Sequence, residues 1–419
     1  MDKQVAILGA GMVGTACALE LQRRGYDVTL LDRRGPGRET SHGNAGVIAR
    51  SSLVPFNHPG LWATLPHLLR NRSVAFRYDP RFLARNLPWA LGFLARARAS
   101  HFDETTRALD ALIRRSMEEH LRLLAEAGAM HRLRRNGWLF LHRSEQAFDA
   151  GQSSRDLFAR FGIRTQALDG RELSDLEPHL RQIFPRALWI QDAASVDSPG
   201  DVVDAYARLF VARGGRIERD EATGLEPGGP AGAWRAIGAS GRRYGPGPVV
   251  VALGPWAREF CTRALGLRVP MAFERGYHMH YAAAGGASLA RPVYDAAGGY
   301  VLSPMAQGLR LSTGVQLARR DAPKDLRQLD LAERAAREAF PLARRLEEDA
   351  WLGSRPTLPD SRPTIGECPG RPGVWLAFGH QHIGFSTGPG TAALLGALMD
   401  GEPGAAERAA AFRPARFLH

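Results

Sequence analysis

Two glycine turns carry the residue types and spacings best able to do chemistry in this chain. The first, Gly9-Ala10-Gly11-Met12-Val13-Gly14, follows the apolar run 5–8 and opens a helical stretch to residue 24. Gly25-Tyr26-Asp27 then turns the chain into Val28-Thr29-Leu30-Leu31-Asp32. A strand, a GxGxxG turn, a helix and an acid about 20 residues on make a dinucleotide-binding pattern. Gly9 permits the tight turn, Gly11 lets the backbone approach a pyrophosphate, and Gly14 lets the helix pack close to the sheet. The helix N-terminus, at Met12 and Val13, offers free N–H groups to the anion. Asp32 is placed to accept hydrogen bonds from a ribose hydroxyl pair, with Arg33 beside it. The second turn repeats this logic. An apolar strand at 375–379 runs into Gly379-His380-Gln381-His382-Ile383-Gly384, and a helix is expected over 391–399.

The intervening segments must bring these turns together. The loop 33–46 is small and polar, and its Ser41, Asn44, Ala45 and Gly46 can line a ligand with backbone. Val249-Val250-Val251-Ala252-Leu253-Gly254 suits a buried parallel strand whose C-terminal end, at Gly254, approaches a ligand. Helical periodicity predicts helices over 105–127, 144–161, 201–213 and 326–346. Alternation at 277–281 and 300–312, with glycine turns near 285 and 298, predicts an antiparallel sheet. Residues 57–100 differ in character: apolar side chains are interleaved with arginines, and Pro66, Pro80 and Pro88 break the segment into short pieces. Amphipathic helices packed on a second domain are the expected reading, and a membrane-touching surface is the alternative.

Composition narrows the class. The 419 residues are 44% hydrophobic and 23% charged, enough for two domains and a large core. Cys17, Cys261 and Cys368 have no metal-ligand or CxxC spacing, so neither disulfides nor a metal site are expected. Net charge is +12, carried almost wholly by arginine, since lysine occurs only at Lys3 and Lys324. That charge is spread without a basic block, which speaks against a nucleic-acid partner. Residues 3–19 mimic a secretory leader, but cleavage there would destroy the βαβ unit, so a leader is not expected. No run of 18 apolar residues predicts a transmembrane helix.

A nicotinamide enzyme would complete its parallel sheet early in the chain. Here the first βαβ is interrupted by a long helical insertion, and strand–glycine signals return only at 249–254 and 375–379. That split pattern points to a flavin site. The expected fold is α/β: a Rossmann-like FAD-binding domain built from residues 1–56, 195–268 and 350–419, plus an α+β substrate domain from 57–194 and 269–349 carrying the antiparallel sheet.

The chain resembles the glycine/D-amino-acid oxidase superfamily of FAD-dependent oxidoreductases over essentially its whole length, and most resembles bacterial D-amino-acid dehydrogenases of the small-subunit type. The carriers are the 9–14 turn, Glu39-Thr40-Ser41 with Asn44-Ala45-Gly46, Glu274-Arg275-Gly276-Tyr277-His278, Gly353-Ser354-Arg355-Pro356, Pro363-Thr364-Ile365-Gly366 and Gly379-His380-Gln381-His382-Ile383-Gly384. Asp32 stands where such chains often have Glu, Gln381 where they often have Gly, and Leu358 and Ser361 depart from the usual wording around Arg355. The resemblance implies noncovalent FAD and oxidative deamination of a D-amino acid or a cyclic amino acid such as hydroxyproline. Hydride would pass from Cα to flavin N5, and electrons would go on to a quinone or respiratory carrier. It implies an arginine clamp for the substrate carboxylate, with Arg355 first, Arg275 second and Arg310 third. Tyr277 is a candidate for covering or bonding the substrate, and His380 and His382 for tuning the flavin or touching substrate. His278 alternates to the opposite strand face from Tyr277. Oxidase relatives use a lysine near the flavin, and neither Lys3 nor Lys324 falls in an expected flavin-facing segment; a dehydrogenase is therefore expected. The alternatives are a glycine/sarcosine-type oxidase using O2 and a flavin subunit of a heteromeric complex. The expected location is cytoplasmic, with peripheral contact at the cytoplasmic face of the inner membrane left open.

Overall fold

The computed structural model describes residues 3–229 and 232–417. A six-stranded sheet forms from distant parts of the chain: β1 (Gln4–Leu8), β2 (Asp27–Asp32), β3 (Arg216–Arg219), β4 (Val249–Val251), β5 (Thr364–Glu367) and β6 (Val374–Phe378), in the spatial order β3-β2-β1-β4-β6-β5. All pairings are parallel except β5 on β6, which is antiparallel at the edge. Parallel strands are covered on both faces, so they read as unbroken apolar runs; Val249, Val250 and Val251 are each fully buried. The C-terminal ends of β1, β2, β4 and β6 therefore share one edge, where both glycine turns emerge.

Three helices cover one face: α1 (Met12–Arg23), α2 (Ala99–Glu126) and α3 (Gly384–Met399). Glycines allow the close approach of α3. A Cβ on Gly388 would meet Met12 Cγ at 2.6 Å, and one on Gly390 would meet Leu112 O at 2.6 Å. The expected helix 391–399 thus begins seven residues earlier, through Pro389. Proline removes the N–H that would pair with the carbonyl four residues back. Here that carbonyl, Phe385 O, is bonded by His120 Nε2 of α2 at 2.8 Å, so the helix continues.

The second sheet is mostly antiparallel and is organised on the long strand Ala272–Ala283. Gly308–Thr313 and Val315–Leu317 pair along one side of it, Leu342–Arg345 and Trp351–Thr357 along the other. The helix Arg327–Ala339 packs on this sheet, with Tyr281 Oη donating to Glu333 at 2.8 Å. The periodicity 326–346 overshot this helix: it stops at Ala339, Pro341 follows, and 342–345 become a strand. The helix expected at 144–161 is two, Glu145–Ala150 and Gln152–Arg160, broken at Gly151. Two segments also cross the expected domain boundaries. Trp351–Thr357, placed with the nucleotide part by sequence, belongs to the second sheet, and α2, placed with the substrate part, packs on the nucleotide layer.

Candidate active site

A cavity of about 380 Å³ runs from the β1–α1 turn across to the second sheet. At one end the backbone is forced into shape by the glycines. Gly9 has φ +102°, and a Cβ there would meet Ala252 O at 2.6 Å. A Cβ on Gly14 would collide with Gly9 O, so this residue fixes how closely α1 sits on β1. Gly11 differs: its Cβ would touch only Ser41 Oγ at 3.2 Å and would otherwise project into the cavity. Ser41 Oγ accepts the Met12 amide at 2.9 Å, while helix geometry leaves the neighbouring first-turn amides of α1 free. Asp32 lines the same end. Its carboxylate accepts the amides of Ala10, Arg34 and Gly35 at 2.8 Å each, which locks the turn and presents the carboxylate edge to the cavity. Arg33 lies over the Trp256 ring at 4.2 Å and bonds Glu39. Arg320 lies over the same ring at 5.2 Å, so one indole at the cavity wall contacts two guanidiniums.

Asn44, Ala45, Gly254, His380, Ile383 and Gly384 also line the cavity. Gly14, Gly46 and Gly379 do not; they shape its wall. Gly46 has φ +77° against Val196, and Gly379 has φ +87° against Leu358 Cδ1 at 2.7 Å. Gln381 adopts the left-handed backbone (φ +51°) that glycine would take, and its amide donates to Pro356 O at 2.9 Å.

At the other end stands Arg355. It is opposite Glu274 in the strand register, and its guanidinium lies over Gly276, where a Cβ would meet Nη2 at 2.5 Å. Its bonds go to two carbonyls, Gly314 O at 3.1 Å and Thr313 O at 3.4 Å, and it forms no ion pair among the described residues. Burial lowers its pKa from the usual arginine range. His382 also lines the cavity, stacked on Phe56 at 4.6 Å; burial, and secondarily Arg355, push it down to about 3, so it is neutral. Glu274 is buried with an unpartnered Oε2, and burial raises it to about 7 against the opposing pull of Arg355.

Of the four residues expected at the substrate, Arg355, His382 and Tyr277 line the cavity and Arg275 does not, and the Tyr277 hydroxyl is turned away. Side chains alternate along a strand; with Gly276 facing Arg355, Arg275 and Tyr277 face the opposite side. Arg275 donates to Pro323 O at 2.9 Å and to Tyr277 Oη, away from the cavity. Tyr277 touches the cavity wall, but its hydroxyl donates to Gln316 Oε1 at 2.9 Å and accepts the Asp325 amide. Arg310 is also diverted: it donates to His42 O, Asn44 O and His280, tying the 33–46 loop to the second sheet.

The sequence reading missed Trp351, Trp138, Ser312 and Trp256, all of which line the cavity. The Trp351 indole is stacked on His278 (4.7 Å, 11°) and occupies the space that side chains on Gly43 and Gly353 would take. Its signal was its place two residues before Gly353 in a strand already marked by Arg355. Ser312 Oγ, Trp138 Nε1 and His382 Nδ1 are buried without partners. Together with the open space in front of Gly11, these orphaned groups fit a large polar ligand reaching from α1 to Arg355. No group of three or more His, Cys, Asp or Glu among the described residues could hold a metal.

The split parallel sheet, the glycine turn facing Asp32 and the long two-ended cavity define a flavin-dependent oxidoreductase. Residues 4–398 match the FAD dependent oxidoreductase family, DAO, and the chain belongs to it. It is 30% identical to a D-amino-acid oxidase of Bradyrhizobium diazoefficiens, over 99% of each chain. It is 28% identical to D-amino acid dehydrogenase 2 of Ralstonia nicotianae, over 94% of this chain and 96% of that one. In fold it matches glycine oxidase from Geobacillus kaustophilus (TM-score 0.70, 22% identity, 95% of each chain). It also matches L-proline dehydrogenase from P. horikoshii (TM-score 0.71, 18% identity, 95% and 93%).

Proposed function

We propose that this enzyme oxidatively deaminates a D-amino acid or a cyclic amino acid such as hydroxyproline, with Arg355 as the carboxylate clamp. One observation carries the reading: a desolvated guanidinium at the cavity end has no carboxylate within ion-pair distance among the described residues, its neighbour Glu274 being held protonated up to about pH 7 by burial, and two carbonyls hold its plane. A buried cation without a counter-ion is costly; a substrate carboxylate would supply one, in the two-pronged geometry arginine favours. The amine would then sit near neutral His382 and the unpartnered Ser312 Oγ, which can accept hydrogen bonds from it.

FAD would be held by the α1 N-terminus, Asp32, the 41–45 loop and the α3 N-terminus, and when bound it supplies the two-electron oxidant. No cysteine lines the cavity, which supports noncovalent attachment. Lys324 Nζ bonds Ala350 O and Lys3 pairs with Asp400, both away from the cavity, which supports a dehydrogenase passing electrons to a quinone or respiratory carrier. We place this exchange at the cytoplasmic face of the inner membrane, with the chain in peripheral contact; no helix among the described residues is long and apolar enough to cross it.

The deciding experiment is turnover of D- and L-amino acids, sarcosine and hydroxyproline isomers with a dye acceptor, with peroxide measured in parallel. Dye reduction by a D-amino or cyclic acid without peroxide supports the assignment. Stoichiometric peroxide would replace it with an O2-using oxidase, and silence of the isolated chain would point to an obligate subunit.

A further inference from the structure

The segment that follows the first βαβ unit presents an uncommon surface. Two of its helices, Leu61–Leu69 and Leu87–Ala95, are predominantly apolar, yet each buries a single residue, Leu61 and Trp89. Trp62 is 53% exposed, Leu69 55%, Leu87 50% and Leu91 57%, with Phe56 nearby at 40%. The other large exposed apolar side chains among the described residues, Leu121, Met130 and Val211, lie on other elements. The surface is held firmly. Trp62 Nε1 donates to Ala97 O at 2.9 Å, joining the two helices, and Tyr78 Oη bonds Leu69 O at 2.9 Å. Trp89 Nε1 bonds Thr357 O at 2.9 Å and Asn57 Nδ2 bonds Pro359 O at 3.1 Å, so the segment sits on the strand end that follows Arg355.

Charge selects the occupant. Residues 57–98 contain arginine at 70, 72, 77, 81, 85, 96 and 98, and Asp79 is their only acid. None of these arginines forms an ion pair among the described residues, although arginine pairs abound elsewhere in the molecule. Exposed Leu and Trp beside unpaired arginines suit an interface of apolar chains and anionic headgroups. A second copy is a poor fit, because a twofold contact would set this cationic patch against itself.

We propose that residues 56–98 form a docking face for an anionic lipid bilayer, seating the substrate end of the cavity, where Phe56 stacks on His382, next to the membrane surface. The proposal deepens, and rests on, the peripheral membrane contact assigned above; dye turnover in solution tests the amino-acid reading separately.

The test is flotation of the FAD-loaded enzyme with phosphatidylcholine vesicles, with and without phosphatidylglycerol. Binding is expected only with the anionic lipid, weakening as salt screens the charges, with a blue shift in tryptophan emission that Trp62→Phe diminishes. Replacing Arg70, Arg72, Arg81 and Arg85 by Gln should weaken binding about 100-fold or more. The Leu69→Ser/Leu91→Ser variant should lose binding yet keep wild-type dye turnover and melting temperature. Equal binding to neutral vesicles, no binding at all, or binding indifferent to these substitutions would overturn the proposal. So would a dimer in sedimentation equilibrium that dissociates in the Leu variant.

Discussion

Arg355 is distinguished less by its charge than by what surrounds it. Like Arg275, bonded to Pro323 O and Tyr277, and Arg310, bonded to two loop carbonyls and His280, it donates to carbonyls, but it alone of the three lines the cavity. Arg355→Ala should raise KM for the amino acid about 10- to 100-fold, the worth of a charge-assisted hydrogen-bond pair, with FAD content unchanged. Arg355→Lys should recover only part, since an ammonium cannot make the forked contact. An unaltered KM in either variant would remove the clamp. Glu274 adds a pH dependence. Its carboxyl is raised to about 7, chiefly by burial. Below that pH it is neutral and Arg355 is free for the substrate; above it the ionised carboxylate competes for the same guanidinium. KM should therefore rise as pH passes upward through about 7, and Glu274→Gln should flatten the profile. A profile unchanged by the substitution would assign the titration to another group.

At the scale of elements, the β1–α1 turn and α3 do the positioning, and they differ in how readily the sequence betrays them. The turn is local: glycines, amides and acid fall within about one βαβ unit, so its role could be read before any tertiary contact was known. Gly11→Val should yield a folded protein without FAD, detected by the absence of flavin absorbance, because the added side chain enters the cavity and meets little of the protein. A fully loaded variant would contradict the pyrophosphate assignment. The start of α3 was illegible because what sustains it comes from residue 120. Proline and glycine argued for a break, and only the His120 bond to Phe385 O reverses that argument. Replacing His120 by Phe should orphan the carbonyl and cost about 1–3 kcal/mol, read as a lower denaturation midpoint, with partial recovery in His120→Gln. Where Arg275 and the Tyr277 hydroxyl point was illegible for a related reason. Strand alternation was known, but which face meets the cavity depends on Gly276 opening a slot for a residue nearly 80 positions away. Trp351 was invisible for the converse reason, since its pocket is made by glycines on two separate segments, Gly43 and Gly353.

For the whole molecule, the cavity is also a seam between the two sheets, and buried histidines that must stay neutral lie in its lining (His380) and behind it (His120 and His278). His120 is 1% exposed and His380 4%. Burial lowers the first to about 4 and the second to about 3, and His278, also buried, falls to about 2. Each has a folded pKa below its unfolded value of 6.5. The unfolded chain therefore binds protons that the folded chain refuses, and stability present above pH 6.5 is lost as pH falls toward 4. Each such histidine contributes a slope of about 1.4 kcal/mol per pH unit in that window. Glu274 acts in the opposite sense. Raised from 4.5 to about 7, it keeps its proton in the fold while the unfolded chain releases it, so it makes stability fall as pH rises between those values, as does Glu177, which burial also raises. With His382, also lowered to about 3, four such histidines outweigh the two raised carboxyls and leave a net acid sensitivity. Urea unfolding of the FAD-loaded enzyme should show stability decreasing from pH 6.5 to 5, steeply enough to unfold it cooperatively in mild acid with release of flavin. His380→Gln should reduce the slope while Glu274→Gln increases it. These opposite signs separate the buried groups from the general repulsion of a chain with net charge +12, which neither substitution appreciably changes. Slopes that moved together would show that overall charge governs acid unfolding.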